Sequence, residues 1–154
     1  MSALPPAPPP STLAAAGIRL TTFEPADYDA AYALWQRTPG VGLSSADDRR
    51  AILRYLERNP GLSLTAWRGA DMVGTMLCGH DGRRGFIHHL AVDTRARRLG
   101  LGQALVQAGM AALHACGIEK CHLMVFADNT EGRAFWQATG ALERAELRLY
   151  SLET

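Results

Sequence analysis

Residues 85–103 read Gly85-Phe86-Ile87-His88-His89-Leu90-Ala91-Val92, then Asp93-Thr94-Arg95-Ala96-Arg97-Arg98-Leu99, then Gly100-Leu101-Gly102-Gln103. The first eight are largely apolar on both alternating faces, the pattern of a central strand covered on each side. From Leu101 to Cys116 the apolar residues Leu101, Leu105, Met110 and Leu113 recur at helical intervals, and Gly117 follows in a C-cap position. A glycine-containing loop thus joins a buried strand to a helix start. Such a junction leaves several backbone N–H groups without intrahelical partners, and the helix dipole favours an anion in front of them. Two glycines let a phosphate approach the backbone with no Cβ in the way. Arg95, Arg97 and Arg98 add positive charge beside the loop, as a multiply phosphorylated ligand requires. A Gly-x-Gly alone is also an ordinary turn. No Gly-Lys-Ser/Thr follows, which excludes a Walker loop, and the absence of GxGxxG excludes a Rossmann fingerprint.

Working outward, Cys121–Phe126 reads as another central strand, Thr130–Thr139 as a short helix ended by Gly140, and Ala145–Leu149 as a closing strand. Upstream, Met72–Cys78 and Leu62–Trp67 are strand-like runs joined by Arg68-Gly69-Ala70-Asp71, and Gly79–Gly82 is a second turn. Ser45, with Asp47 and Asp48 behind it, reads as the N-cap of a helix carrying Ile52, Leu53 and Leu56 as far as Asn59-Pro60-Gly61. Pro25 opens an earlier helix with Tyr28, Ala31, Tyr32, Leu34 and Trp35 at helical spacing, and Ile18–Phe23 alternates as a half-buried strand. The predicted order is β-α-α-β-β-β-α-β-α-β, an α/β layered fold of the α+β type around a mixed sheet.

The chain has 154 residues, 47% of them hydrophobic, which suits one core and one domain over residues 15–154. Residues 1–14 hold most of the eight prolines and read as a disordered tail. Sixteen Lys and Arg against fifteen Asp and Glu leave a net charge of +1, too little for a nucleic-acid field, so any anion site must be local. Three cysteines without a CxxC pair argue against a disulfide framework or zinc ribbon and for a reducing, cytoplasmic setting. No run of eighteen apolar residues and no signal-peptide pattern occurs, so no membrane partner is expected. His114, Cys116, Cys121 and His122 are spaced so that their side chains splay around a helix or alternate across a strand, and no metal is expected.

Arg97-Arg98-Leu99-Gly100-Leu101-Gly102, after a strand and opening a helix, resembles the Gln/Arg-x-x-Gly-x-Gly/Ala hallmark of the GCN5-related N-acetyltransferase (GNAT) superfamily. The resemblance covers roughly residues 18–150 and continues at Asn129, Ala134-Phe135-Trp136 and Thr139-Gly140-Ala141. It implies a mixed, mostly antiparallel sheet flanked by helices, and acetyl-CoA as the acetyl donor. The backbone of Leu90, Ala91 and Val92 would hold the pantetheine arm, and the N–H groups of Arg97, Arg98, Leu99, Gly100, Leu101, Gly102 and Gln103 the pyrophosphate. Splayed strands over residues 86–92 and 121–127 would form the notch for the thioester, and Asn129, Phe135 and Trp136 would lie on the cofactor side. The Leu90 N–H matches the family group that polarises the acetyl carbonyl.

The resemblance also implies an amine acceptor, a small molecule or a peptide, and a base to take its proton. His88, two residues before Leu90, matches the family position facing the acceptor; the plainer reading is a core histidine. Adjacency on a strand would send His89 to the opposite face, where it would pack with Ile87 and Ala91. His80 is either a cleft residue or an exposed turn residue, and Tyr28, Tyr32 and Trp35 are either cleft liners or core. Trp136 stands where the family often has an acidic tyrosine, Thr94 where it has proline, Ala96 where it has an aromatic, Arg98 where it has glycine, and Ala141 where it has phenylalanine. The alternative to an N-acetyltransferase is an acyl-CoA-binding regulatory domain with weak or no catalysis. Family members are often dimers, and an edge strand near 145–150 could pair across a two-fold.

Overall fold

β1 (Ile18–Thr22), β2 (Leu64–Arg68), β3 (Asp71–His80), β4 (Gly85–Val92) and β5 (Cys121–Leu123) lie side by side in chain order. The first four pair antiparallel and β5 runs parallel to β4, so the sheet is mixed and mostly antiparallel. The helices are α1 (Pro10–Ala15), α2 (Tyr28–Gln36), α3 (Arg49–Arg58), α4 (Leu101–Ala115) and α5 (Thr130–Ala138). The computed structural model describes residues 10–154, which fall into two compact units, 10–124 and 125–154.

In the larger unit β3 is buried along nearly its whole length because helices cover both of its faces. Leu77 joins Leu34, Trp35, Ile52 and Leu56 in one apolar cluster beneath α2 and α3. The alternate residues meet α4: a Cβ on Gly74 would lie 3.1 Å from a Leu101 methyl, and one on Gly109 would lie 2.5 Å from the Met76 methyl. Glycine at these two positions lets α4 approach the sheet without displacing those side-chain ends. α4 ends as its sequence requires, with Gly117 at φ +80° and the Ile118 N–H returning 3.0 Å to the Leu113 carbonyl. No helix among the described residues is long and apolar enough to cross a membrane.

Four expectations need correction. Residues 10–14 are not a disordered tail but part of α1, whose Leu13 is buried; residues 1–9 lie outside the described residues. Ser45 caps no helix, because Ser44 and Asp47 close a single 3-10 turn over Ser45–Asp47 and Asp48 then caps α3 by accepting from the Ala51 N–H at 2.8 Å. β5 stops at Leu123 instead of Phe126. The closing strand over 145–149 is absent: Leu147 and Leu149 are 56% and 76% exposed and have no ladder partner among the described residues. An alternating sequence is strand-like only when a neighbour accepts its backbone.

The smaller unit is built on α5. Asn129 caps it, its Oδ1 accepting from the Gly132 N–H at 2.9 Å, and the Phe135 and Trp136 rings meet edge to face at 5.1 Å. Arg133 pairs with Glu143 at 3.0 Å.

Candidate active site

Thr75 stands opposite Ala91 and Leu77 opposite His88, so Met76 faces both His89 and Leu90 across the ladder. This is a β-bulge in β4, and His89 is its extra residue, at φ +48°. A left-handed residue other than glycine costs roughly 1–2 kcal/mol, so something must hold it. Three contacts do. The His89 ring lies 4.7 Å from that of Trp35, its Nε2 is 2.6 Å from Asp47 Oδ1, and its carbonyl accepts from Thr75 Oγ1 at 2.9 Å. Thr75 Oγ1 in turn accepts from Trp35 Nε1 at 2.8 Å.

The bulge overturns the expected separation of the two histidines. His88 meets the Tyr55 ring edge to face at 6.2 Å and stacks on Phe86 at 6.3 Å, so both imidazoles reach the layer formed by α2 and α3. Burial, and then the neighbouring His89, lower the His88 pKa from 6.5, with Asp47 opposing. Its imidazole is therefore neutral at pH 7, with a lone pair available. Beside it the Tyr55 hydroxyl is buried without a hydrogen-bond partner among the described residues, and desolvation raises its pKa. His80 serves the turn, its Nδ1 accepting from the Gly82 N–H at 3.0 Å. Trp35 and Tyr28 are core residues, at 1% and 7% exposure.

The same bulge directs the next amide. The peptide between His89 and Leu90 is trans, as are all among the described residues, so its N–H points opposite to its C=O. Since the His89 carbonyl points at Thr75 on β3, the Leu90 N–H points away from β3. Further along, the Asp93 N–H bonds Val73 on β3 at 2.9 Å. Alternation then turns the backbone of Ala91 toward β3 and that of Val92 away from it. Ala91 is thus used by the ladder, and only Leu90 and Val92 of the three expected residues present their backbones outward. They face the side where β5 has already left: β5 pairs with β4 only from Gly85 to Ile87.

Beyond β4, Asp93 organises the arginine-rich approach. Its Oδ1 accepts from the Arg95 N–H at 2.9 Å, and its Oδ2 from Arg95 and Arg37 side chains, both at 3.1 Å. These bonds, Arg95's first, hold the Asp93 carboxyl well below the usual range. Arg98 at φ +65° and Gly100 at φ +77° then curl the chain into α4. The first intrahelical bond runs from Ala104 to the Gly100 carbonyl, so the N–H groups of Leu101 and Gly102 lie ahead of the helical ladder. A recess of about 650 Å³, lined by Arg19, Thr21, Glu24 and Trp67, lies at the other edge of the sheet. Asn129, Phe135 and Trp136 belong to the 125–154 unit.

Sequence reasoning missed Asp47, Thr75 and Tyr55 as neighbours of the site. Only the Ser-Ser-Ala-Asp-Asp capping signal at 44–48 marked one of them.

Residues 28–141 match the model of the acetyltransferase (GNAT) family. An acetyltransferase of Pectobacterium atrosepticum is 33% identical over 112 residues, covering 73% of this chain and 79% of that protein. Among solved structures, Ard1 from Thermoplasma volcanium superposes with a TM-score of 0.71 at 23% identity, covering 80% of this chain and 82% of that one. The PaiA N-acetyltransferase from Thermoplasma acidophilum, solved with coenzyme A, gives 0.66 at 16% identity over 78% and 86%.

Proposed function

The chain belongs to the GNAT acetyltransferase family, and from that premise we propose that it moves an acetyl group from acetyl-CoA to a primary amine by direct transfer in a ternary complex. The observation that carries this reading is the Leu90 amide, turned away from β3 by the bulge at the point where β5 diverges.

The residues fit the donor's chemistry. The start of α4 offers a run of N–H groups and the dipole's positive end to a pyrophosphate, with no side chain at Gly100 or Gly102 to block approach. Arg98 adds an exposed charge. Leu90 and Val92 offer outward backbone groups to an extended arm, as an added strand would use them. The analogy with the family alone assigns Asn129, Phe135 and Trp136 to the cofactor. Acetyl-CoA, when bound, supplies an activated thioester.

His88 takes the proton from the acceptor's ammonium, a role its burial suits by keeping the imidazole neutral. The Leu90 N–H donates to the carbonyl oxygen as negative charge grows there. Tryptophan at 136 supplies no acid at neutral pH, so the thiolate leaves unprotonated or takes its proton from water. The acceptor is a small molecule or a peptide amine, and the odd cysteine count fits a cytoplasmic setting.

The test is release of coenzyme A thiol from acetyl-CoA in the presence of a panel of amino acids, polyamines, aminoglycosides and peptide N-termini, with mass spectrometry of each amine. Amine-dependent release that is lost in His88→Ala supports the reading. Tight acetyl-CoA binding with no transfer to any amine favours the acyl-CoA-binding domain instead.

A further inference from the structure

We propose that Thr75 and Trp35 are positioning residues that aim the Leu90 amide at the acetyl carbonyl, acting through the His89–Leu90 peptide. This rests on the role just given to Leu90.

Trp35 Nε1 donates to Thr75 Oγ1 at 2.8 Å, which occupies an acceptor site of the hydroxyl and turns its single hydrogen toward another acceptor. That acceptor is the His89 carbonyl at 2.9 Å. Because the peptide is planar and trans, fixing the C=O fixes the N–H at its other end. Trp35 and Thr75 are 1% and 0% exposed, so water does not compete for the bond between them. The two bonds run in series to the peptide that follows a left-handed histidine, a strained point of the strand. Without the Thr75 hydroxyl the peptide is free to tilt, and the N–H tilts with it. Thr75 touches neither donor nor acceptor in this scheme.

The readout is the infrared stretch of acetyl-CoA isotope-labelled at the acetyl carbonyl, bound to the full chain, with coenzyme A affinity measured by calorimetry alongside. In the unmodified protein the bound carbonyl is expected to absorb at lower frequency than the free thioester. Thr75→Val keeps the shape but removes the hydroxyl, and loses most of that shift while coenzyme A affinity is unchanged. Thr75→Ser restores the shift. Trp35→Phe, which keeps a ring over His89 but removes the indole donor, loses part of it and decides the matter if Thr75→Val does not fold. A full shift retained in Thr75→Val, or in Trp35→Phe where the valine variant is unfolded, overturns the positioning role and leaves Leu90's role intact. Donor bound by the unmodified protein with no shift overturns both.

Discussion

His89 Nε2 and Asp47 Oδ1 lie 2.6 Å apart across 42 positions of sequence, tying the bulge of β4 to the 3-10 turn between α2 and α3. The second Asp47 oxygen accepts from the Ser44 N–H at 2.9 Å, and the Asp47 carbonyl accepts from the Tyr28 hydroxyl at 2.6 Å. One residue, 6% exposed, thus holds both the turn and the strand. Removing one partner of such a buried pair strands the other, so Asp47→Ala is expected to destabilise the fold by about 3 kcal/mol. Urea denaturation measures it, and a loss under about 0.5 kcal/mol, the scale of an ordinary surface change, contradicts the arrangement.

His88 gives the chain a pH dependence of known sign. Its folded pKa is lowered, first by burial, so below 6.5 the unfolded chain binds the proton more readily than the native one. Stability from this group is therefore complete above pH 6.5 and falls as pH drops below it, toward the folded pKa. The urea midpoint should decline on acidification through that window, and His88→Gln should decline less. Parallel profiles for the two proteins would contradict the burial of this ring.

Arg98 sits at φ +65° where the related family has glycine. Arg98→Gly removes a left-handed strain of roughly 1–2 kcal/mol and returns part of it as freedom of the unfolded chain, for a net gain of about 0.5 to 1 kcal/mol. A higher melting temperature with weaker acetyl-CoA binding is the expected pair of results, since the same change removes a charge beside the proposed pyrophosphate loop. A lower melting temperature contradicts the strain.

The three cysteines should separate by reactivity. Burial pushes the Cys78 thiol up to about 12 and the Cys121 thiol up to about 11, while Cys116 is exposed. Since the thiolate is the reactive form, a maleimide at neutral pH should label Cys116 first, as peptide mapping will read. Early labelling of Cys78 would mean that the α4 face opens.

The strand, loop and helix over 85–115 were legible because each part carries a local cause: two-sided apolar character in Gly85–Val92, glycine at 100, apolar spacing from Leu101 to Leu113. The bulge was not. It is a matter of register between β3 and β4, and histidine rather than glycine fills its left-handed position, so nothing local announces it. With the bulge unseen, strict alternation placed His88 and His89 on opposite faces. The sequence places Asp47 in the first turn of a helix, because its partner is distant along the chain and two capping signals compete at 44–48. Leu147 and Leu149 alternate like a strand yet stand exposed, since sequence pattern names the candidate face and not the partner.

The most direct measurement is calorimetric titration of acetyl-CoA into the unmodified chain and into Gly100→Glu, with circular dichroism confirming that both are folded. Gly100 caps α4 at φ +77°, where glutamate would bring a side chain and a negative charge into the space proposed for the pyrophosphate. Micromolar binding by the unmodified chain and its loss in the folded variant is the expected result. Absence of binding by the folded unmodified chain, or equal binding by the variant, would contradict the assignment of this loop to the donor.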